Sequence, residues 1–200
     1  MRRIPLLLAL CFCCFVQAAF AQANGKLQIH FMDVGKGDGA VLISPLGEVV
    51  LFDDGVNNQC EKPVSYLTQL GITKIDYLIV SHYHGDHIGC TRQVLNHFPL
   101  QKQSVDRGAT YNSGSFNVYV QTVGAKRTTA TANMNITLDA ASQNPVVIKV
   151  VALNGDGIQT DNVNDLSLIA SVKFGNFDAL IGGDLSGVTP LDTFVSAIFL

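Results

Sequence analysis

The sequence predicts a single α/β domain behind an amino-terminal leader, and three observations carry that expectation. A short apolar, β-branched run at 75–80 (IDYLIV) reads as a strand buried on both faces of its sheet. Apolar runs of strand length recur before and after it, bounded by glycine, proline and asparagine turns. Between them lie two stretches with helical spacing, at 63–70 and 88–97.

Taken in order, the first 23 residues read as a secretory signal peptide. Arg2 and Arg3 form a charged start, residues 4–16 an apolar core, and Ala21-Gln22-Ala23 a small-x-small cleavage site, with Ala19-Phe20-Ala21 as an alternative. A transmembrane anchor needs about 20 continuous apolar residues, and Gln17 interrupts the run. Cys11, Cys13 and Cys14 belong to this leader. Cleavage after Ala23 leaves residues 24–200, enough for one domain with a sizeable core, and the expected location is the periplasm or the exterior. Without Arg2 and Arg3, 11 basic side chains face 16 acidic ones, a formal charge of −5. Nucleic-acid binders are usually basic, so the balance weighs against such a partner without excluding it, since bound divalent ions would offset part of the charge locally.

The mature chain opens as a β-meander: residues 27–31 (LQIHF), a glycine-rich turn at 33–39 (DVGKGDG), then strands at 40–43 and 49–52 around Pro45-Leu46-Gly47. The glycine turn has backbone amides that a phosphate could use, but it lacks Walker spacing and reads better as a plain connection. A short helix at 63–70 closes at Gly71, and a second at 88–97 ends before Pro99. From 104 to 145 the composition shifts to small and polar residues, read mostly as a loop over the site. Within it Phe116, Tyr119, Val120 and Val123 fit a helix face, while Phe116, Val118 and Val120 also fit a strand. Gly124 as a C-terminal cap favours the helix. A strand at 146–153 and a hairpin of 166–174 and 177–181 around Gly175-Asn176 follow, ending in Gly182-Gly183-Asp184.

The chemistry concentrates at 81–90 (SHYHGDHIGC), where three of the five histidines and an aspartate fall within six consecutive residues. In an extended exit from the preceding strand His82 and His84 project to one side. Gly85 lets the backbone turn, bringing Asp86 and His87 back toward the same point. Imidazoles with a carboxylate suit zinc, and manganese or iron would also fit; a catalytic site keeps a position open for water. Plainer roles exist for each residue alone, Asp86 as the N-cap of the following helix and the histidines as solvated loop residues, but their density directly after a buried strand favours ligation. His30 and His97 read as packed or surface residues. Cys60 and Cys90 are the cysteines left after the leader; export permits a bridge between them, which is favoured over two free thiols and over metal ligation by Cys90.

The HxHxDH pattern resembles the metallo-β-lactamase fold superfamily of metal-dependent hydrolases, and the resemblance runs from about residue 27 to 190. The 33–39 turn and Asn164-Asp165-Leu166-Ser167 are similar to elements of one subgroup, the extracellular domains attached to competence DNA-uptake channels, with Lys36 standing where that subgroup usually has glutamine. The resemblance implies an αββα sandwich holding one or two zinc ions, with His82, His84 and Asp184 on one ion and Asp86, His87 and Asp184 on the other. It implies Asp53 as a support of the metal loop, Asp184 as a bridge, and Asp86 as both ligand and orienter of the nucleophile.

The implied activity is hydrolysis of a phosphodiester or related ester, by an exported protein with no stable membrane anchor. A β-lactamase is the alternative, against which a bridging Gly-Asp speaks. An inert metal-binding protein is the alternative of another class, because the superfamily's further histidines have no counterpart after His97. With the apolar end at Ala197-Ile198-Phe199-Leu200, that gap leads us to expect a carboxy-terminally truncated chain with an incomplete second half.

Overall fold

The computed structural model describes residues 23–186. The leader apart from Ala23 and the apolar end at 197–200 lie outside the described residues. Strands β1 (Gln28–Phe31), β2 (Ala40–Ile43) and β3 (Val49–Phe52) form the antiparallel meander. From β3 the sheet continues parallel through β4 (Ile75–Ile79), β5 (Leu100–Asp106) and β6 (Arg127–Thr129), in the order β1-β2-β3-β4-β5-β6. The crossovers carry α1 (Glu61–Gln69), α2 (Thr91–His97) and α3 (Gly114–Val123). A second, antiparallel sheet holds β7 (Asn135–Leu138), β8 (Val146–Ala152), β9 (Ile169–Phe174) and β10 (Phe177–Ile181), in the order β10-β9-β8-β7.

Period-two alternation sorts the apolar runs into two cores. Val41, Ile43, Val49 and Leu51 face the helices with Leu67, Val94 and Phe116, while Ala40, Leu42, Val50 and Phe52 meet Ile136, Leu138, Ile148 and Val172 of the second sheet. A sheet sandwiched this way needs apolar residues on both faces, which is why β2 and β3 read as continuous runs. The layers are helices, sheet, sheet: three of the four of an αββα sandwich, with all three α-helices among the described residues packed on the first sheet. None of them is long and apolar enough to cross a membrane.

Three expectations are corrected. Residues 104–145 are not mainly loop, since they contain the end of β5, α3, β6 and β7. β5 escaped because its buried side chains include Ser104 and Asp106, satisfied by hydrogen bonds with Tyr119 and Tyr83 rather than by apolar contacts. The second helix starts at Thr91 rather than 88, and its cap is not Asp86. Asp54, from the end of β3, accepts the Cys90 N–H (2.7 Å) and the Thr91 hydroxyl (2.5 Å), so the helix begins where that carboxylate reaches it. In the hairpin the first strand begins at Ile169, because Leu166 closes a 3-10 turn. For α3 the helical alternative holds: Ser113 Oγ accepts the Phe116 N–H, and Gly124 at φ 52° ends it. Cys60 and Cys90, at the starts of α1 and α2, are bridged.

Candidate metal centre

The site sits at the carboxyl edge of the parallel strands, where the chain leaves β3 and β4. Asp53 follows β3 in a left-handed conformation (φ 50°). Its Oδ1 accepts the Ser81 N–H (2.8 Å), and its Oδ2 accepts the Ser81 hydroxyl (2.5 Å) and His87 Nδ1–H (2.8 Å). One carboxylate thus ties both ends of the ligand loop and turns His87 Nε2 inward. That nitrogen is buried and has no hydrogen-bond partner, although Asp184 Oδ1 lies 3.3 Å away.

Tyr83 explains why the histidines on either side of it share a face. It points the opposite way into the helical core, where its hydroxyl donates to Asp106 (2.9 Å), a carboxylate also held by Tyr119 and Arg127. The His82 and His84 rings are 4.6 Å apart with Nε2 and Nδ1 at 3.0 Å, and His82 and His87 are 4.1 Å apart.

Two glycines seat the neighbouring segments on this loop. Gly183 has φ 52°, and a Cβ there would fall 2.6 Å from Ser81 Cβ, so only glycine lets the end of β10 approach closely enough to deliver Asp184. Gly37 has φ 80°, and a Cβ there would lie 1.8 Å from the Asp86 carbonyl oxygen. The 33–39 turn therefore lies flat against the ligand loop, bringing Lys36 and Asp38 with it.

The ligand atoms of His82, His87 and Asp184 all lie within 4.8 Å of one another, as do those of Asp38, Asp53 and His87. His84 joins through His82. Asp86 belongs to neither group, since its carboxylate turns to Lys36 Nζ at 3.5 Å. His82 and His87, expected on separate ions, share one cluster. His30 pairs with Tyr66 (3.1 Å), and His97 caps back onto Gln93 O on an exposed helix end. Asp38 and the Asp106 network were missed: an isolated aspartate in a polar stretch carries no local signal, and only the ending of a buried strand in aspartate could have pointed to Asp106.

Burial lowers the pKa of His82 to about 4, with the neighbouring His87 charge adding to it, so the ring stays neutral with a lone pair to offer. Burial also works against charge on His87, but the hydrogen bond and charge of Asp53, with Asp184 and Asp38 behind, win and raise it to about 9. Burial raises the pKa of Asp38, and the Asp53 charge adds to it. A pocket that holds a proton on a buried histidine because three carboxylates surround it favours a cation at that place. Two imidazoles, a carboxylate and an unpartnered buried ring nitrogen fit a divalent ion.

Layering and site together define an α/β sandwich protein whose sheet edge carries residues that could hold a metal ion. The sequence from 39 to 147 matches the family model described as the metallo-beta-lactamase superfamily, more than half of the chain. The chain belongs to that superfamily. Among solved structures it is similar to MEM-A1, a subclass B3 metallo-beta-lactamase from a soil metagenome library (TM-score 0.53, 12% identity, 79% of this chain and 60% of that one). It is also similar to a HARLDQ-motif mutant of a metallo-beta-lactamase from Cronobacter sakazakii (0.54, 13%, 76% and 59%). A third is the chemotaxis sensor ODP with a peroxy diiron species (0.51, 12%, 74% and 55%). The chain thus spans about 60% of the length of the first of these. No curated protein matches its sequence significantly.

Proposed function

We propose that the protein is an exported metal-dependent hydrolase acting on a phosphodiester or related ester. The observation that carries this reading is the convergence of His82 and His87 with Asp184, about 100 residues further along the sequence, around an orphaned buried ring nitrogen. His82, His87 and Asp184 would hold a zinc ion, with His84 joining through His82, while Asp86, turned to Lys36, stands outside that group. A bound divalent ion there supplies Lewis acidity and a water acidic enough to act as nucleophile near neutral pH.

The chain's own residues do the rest. Asp53 keeps His87 in one tautomer. Burial opposes charge on Asp86, but its own backbone hydrogen bond and the charges of His87 and Lys36 hold its pKa below the ordinary carboxylate value. Asp86 thus stays ionised beside the ligand loop, where it would accept a hydrogen bond from the attacking water and orient it. A cavity of about 430 Å³ beside Asp38, Asp53 and Gly183, walled by Phe31, Phe177 and Leu185, has the size for a small ester. The leader-like first 23 residues and the disulfide support export to an oxidising compartment.

The position of Asp184 supports an ester of phosphate over a β-lactam, although two of the three similar structures named above are metallo-beta-lactamases. Hydrolysis of bis-para-nitrophenyl phosphate and of nitrocefin, with metal content measured on the same sample, tests the reading. Phosphodiester turnover that chelation abolishes and zinc restores is expected. Turnover of nitrocefin alone would make the protein a β-lactamase, and bound metal with neither activity would make it a non-catalytic metal binder.

A further inference from the structure

Arg107 is a buried cation without a counter-ion among the described residues. It is 7% exposed, and its guanidinium carbon lies 5.0 Å from the centroid of the Tyr83 ring. Nη1 donates to Asn154 Oδ1 (2.8 Å), and Asn154 Nδ2 returns a bond to the Arg107 carbonyl (3.0 Å). Nε is buried with no acceptor among the described residues. The adjacent Asp106 does not neutralise it: that carboxylate is taken by Tyr83, Tyr119, Arg127 and the Gly108 amide. Arg127 is paired there in full, whereas Arg107 makes no ion pair among the described residues. Burial pushes its pKa down while Tyr83, Asp106 and Tyr111 push back, yet arginine does not shed its proton in proteins. A buried charge left unpaired costs several kcal/mol, so the fold carries a charge it does not itself use.

Its place says what the charge is for. Arg107 follows the last residue of β5 just as Asp53 follows β3, and Ser81 comes two residues after the end of β4, so Arg107 stands at the strand-end crevice where open α/β sheets take ligands. The Tyr111 ring lies 6.3 Å from Tyr83 and 6.0 Å from His84, so two aromatic rings, Tyr83 and Tyr111, link the guanidinium to the ligand cluster.

We infer that Arg107 forms an anion-binding subsite that takes a phosphate or carboxylate group of the substrate on its free Nε edge. As a substrate site it rests on the hydrolase reading, but binding of an anion is measurable without turnover. A planar guanidinium edge matches two oxygens of either group. Tyr83 and Asn154 hold the fork in position.

The test uses the whole chain, labelled with 15N-arginine and stripped of metal by chelator. Inorganic phosphate, acetate and chloride are titrated in parallel while the arginine Nε–Hε signals are followed. Arg107 is assigned as the signal lost in Arg107→Lys. A saturable shift of that signal with phosphate or acetate, absent with chloride, is expected, with Arg92 and Arg127 unmoved. Which anion acts distinguishes a phosphate ester from a carboxylate-bearing substrate. Arg107→Lys should weaken binding about tenfold and, in the metal-loaded protein, raise KM more than it lowers kcat. No shift with either anion up to roughly 50 mM, where a Kd of about 1 mM would already saturate, overturns the subsite, as does an equal response to chloride. Because the binding arm needs neither metal nor substrate, it stands or falls apart from hydrolysis.

Discussion

At the residue scale the centre depends on carboxylates that are not all ligands. Asp53 fixes Ser81 and His87 together, so Asp53→Asn should weaken zinc binding about 10- to 100-fold, the usual cost of losing the partner that orients a ligating histidine. Chelator competition measures this, and an unchanged affinity would show that His87 needs no such support. Asp54 is a separate case. Full burial raises its pKa to about 8, against the hydrogen bonds from Thr91 and the Cys90 amide. A folded-state pKa above the unfolded value of 3.8 means stability that is complete below pH ~4 and lost as pH rises through about 8. Denaturant unfolding of the metal-free protein should therefore show stability falling across that window, with a shallower slope in Asp54→Asn; equal slopes would mean that Asp54 is ionised throughout. The closeness of His82, His84 and His87 was legible in the sequence because they are neighbours, whereas Asp86, read from the same density, turns to Lys36. Asp38, Asp106 and Arg107 were not legible, since each gains its meaning from side chains 13 or more residues away.

Elements were legible where apolar periodicity decides them and hidden where hydrogen bonds do. β4, β8 and the β9–β10 hairpin show as apolar runs, whereas β5 and β7 are lined in part by Ser, Thr, Asn and Asp. The start of α2 was displaced by Asp54, a residue far outside any local window. Gly183→Ala should be costly at this scale. Positive φ and the 2.6 Å approach to Ser81 would force the end of β10 away, with about 1–3 kcal/mol of stability lost and metal affinity falling with it. Thermal unfolding and zinc titration of that variant check both halves, and full zinc affinity would separate Asp184 from the site. The Cys60–Cys90 bridge spans 30 residues and pins the starts of α1 and α2. A closed loop of that length is worth about 3 to 4 kcal/mol in the chain-entropy model, so paired serine substitutions should lower the melting temperature clearly while leaving zinc affinity within a few-fold.

Over the whole molecule, two sheets and a helical layer bring together segments from four parts of the chain. The ligand loop leaves β4, Asp53 leaves β3, the glycine turn joins β1 to β2, and Asp184 leaves β10, each at the same edge. This crossing of the two sheets is what a reading along the sequence cannot see, although the Gly-Asp after the final strand hinted at it. Anomalous diffraction at the zinc edge, from crystals of the protein grown with zinc, tests the centre most directly. A peak about 2.0 to 2.2 Å from nitrogens of His82 and His87 and from a carboxylate oxygen of Asp184 is the expected result. Zinc bound elsewhere, or bound at the histidines with Asp184 well beyond that distance, would contradict it.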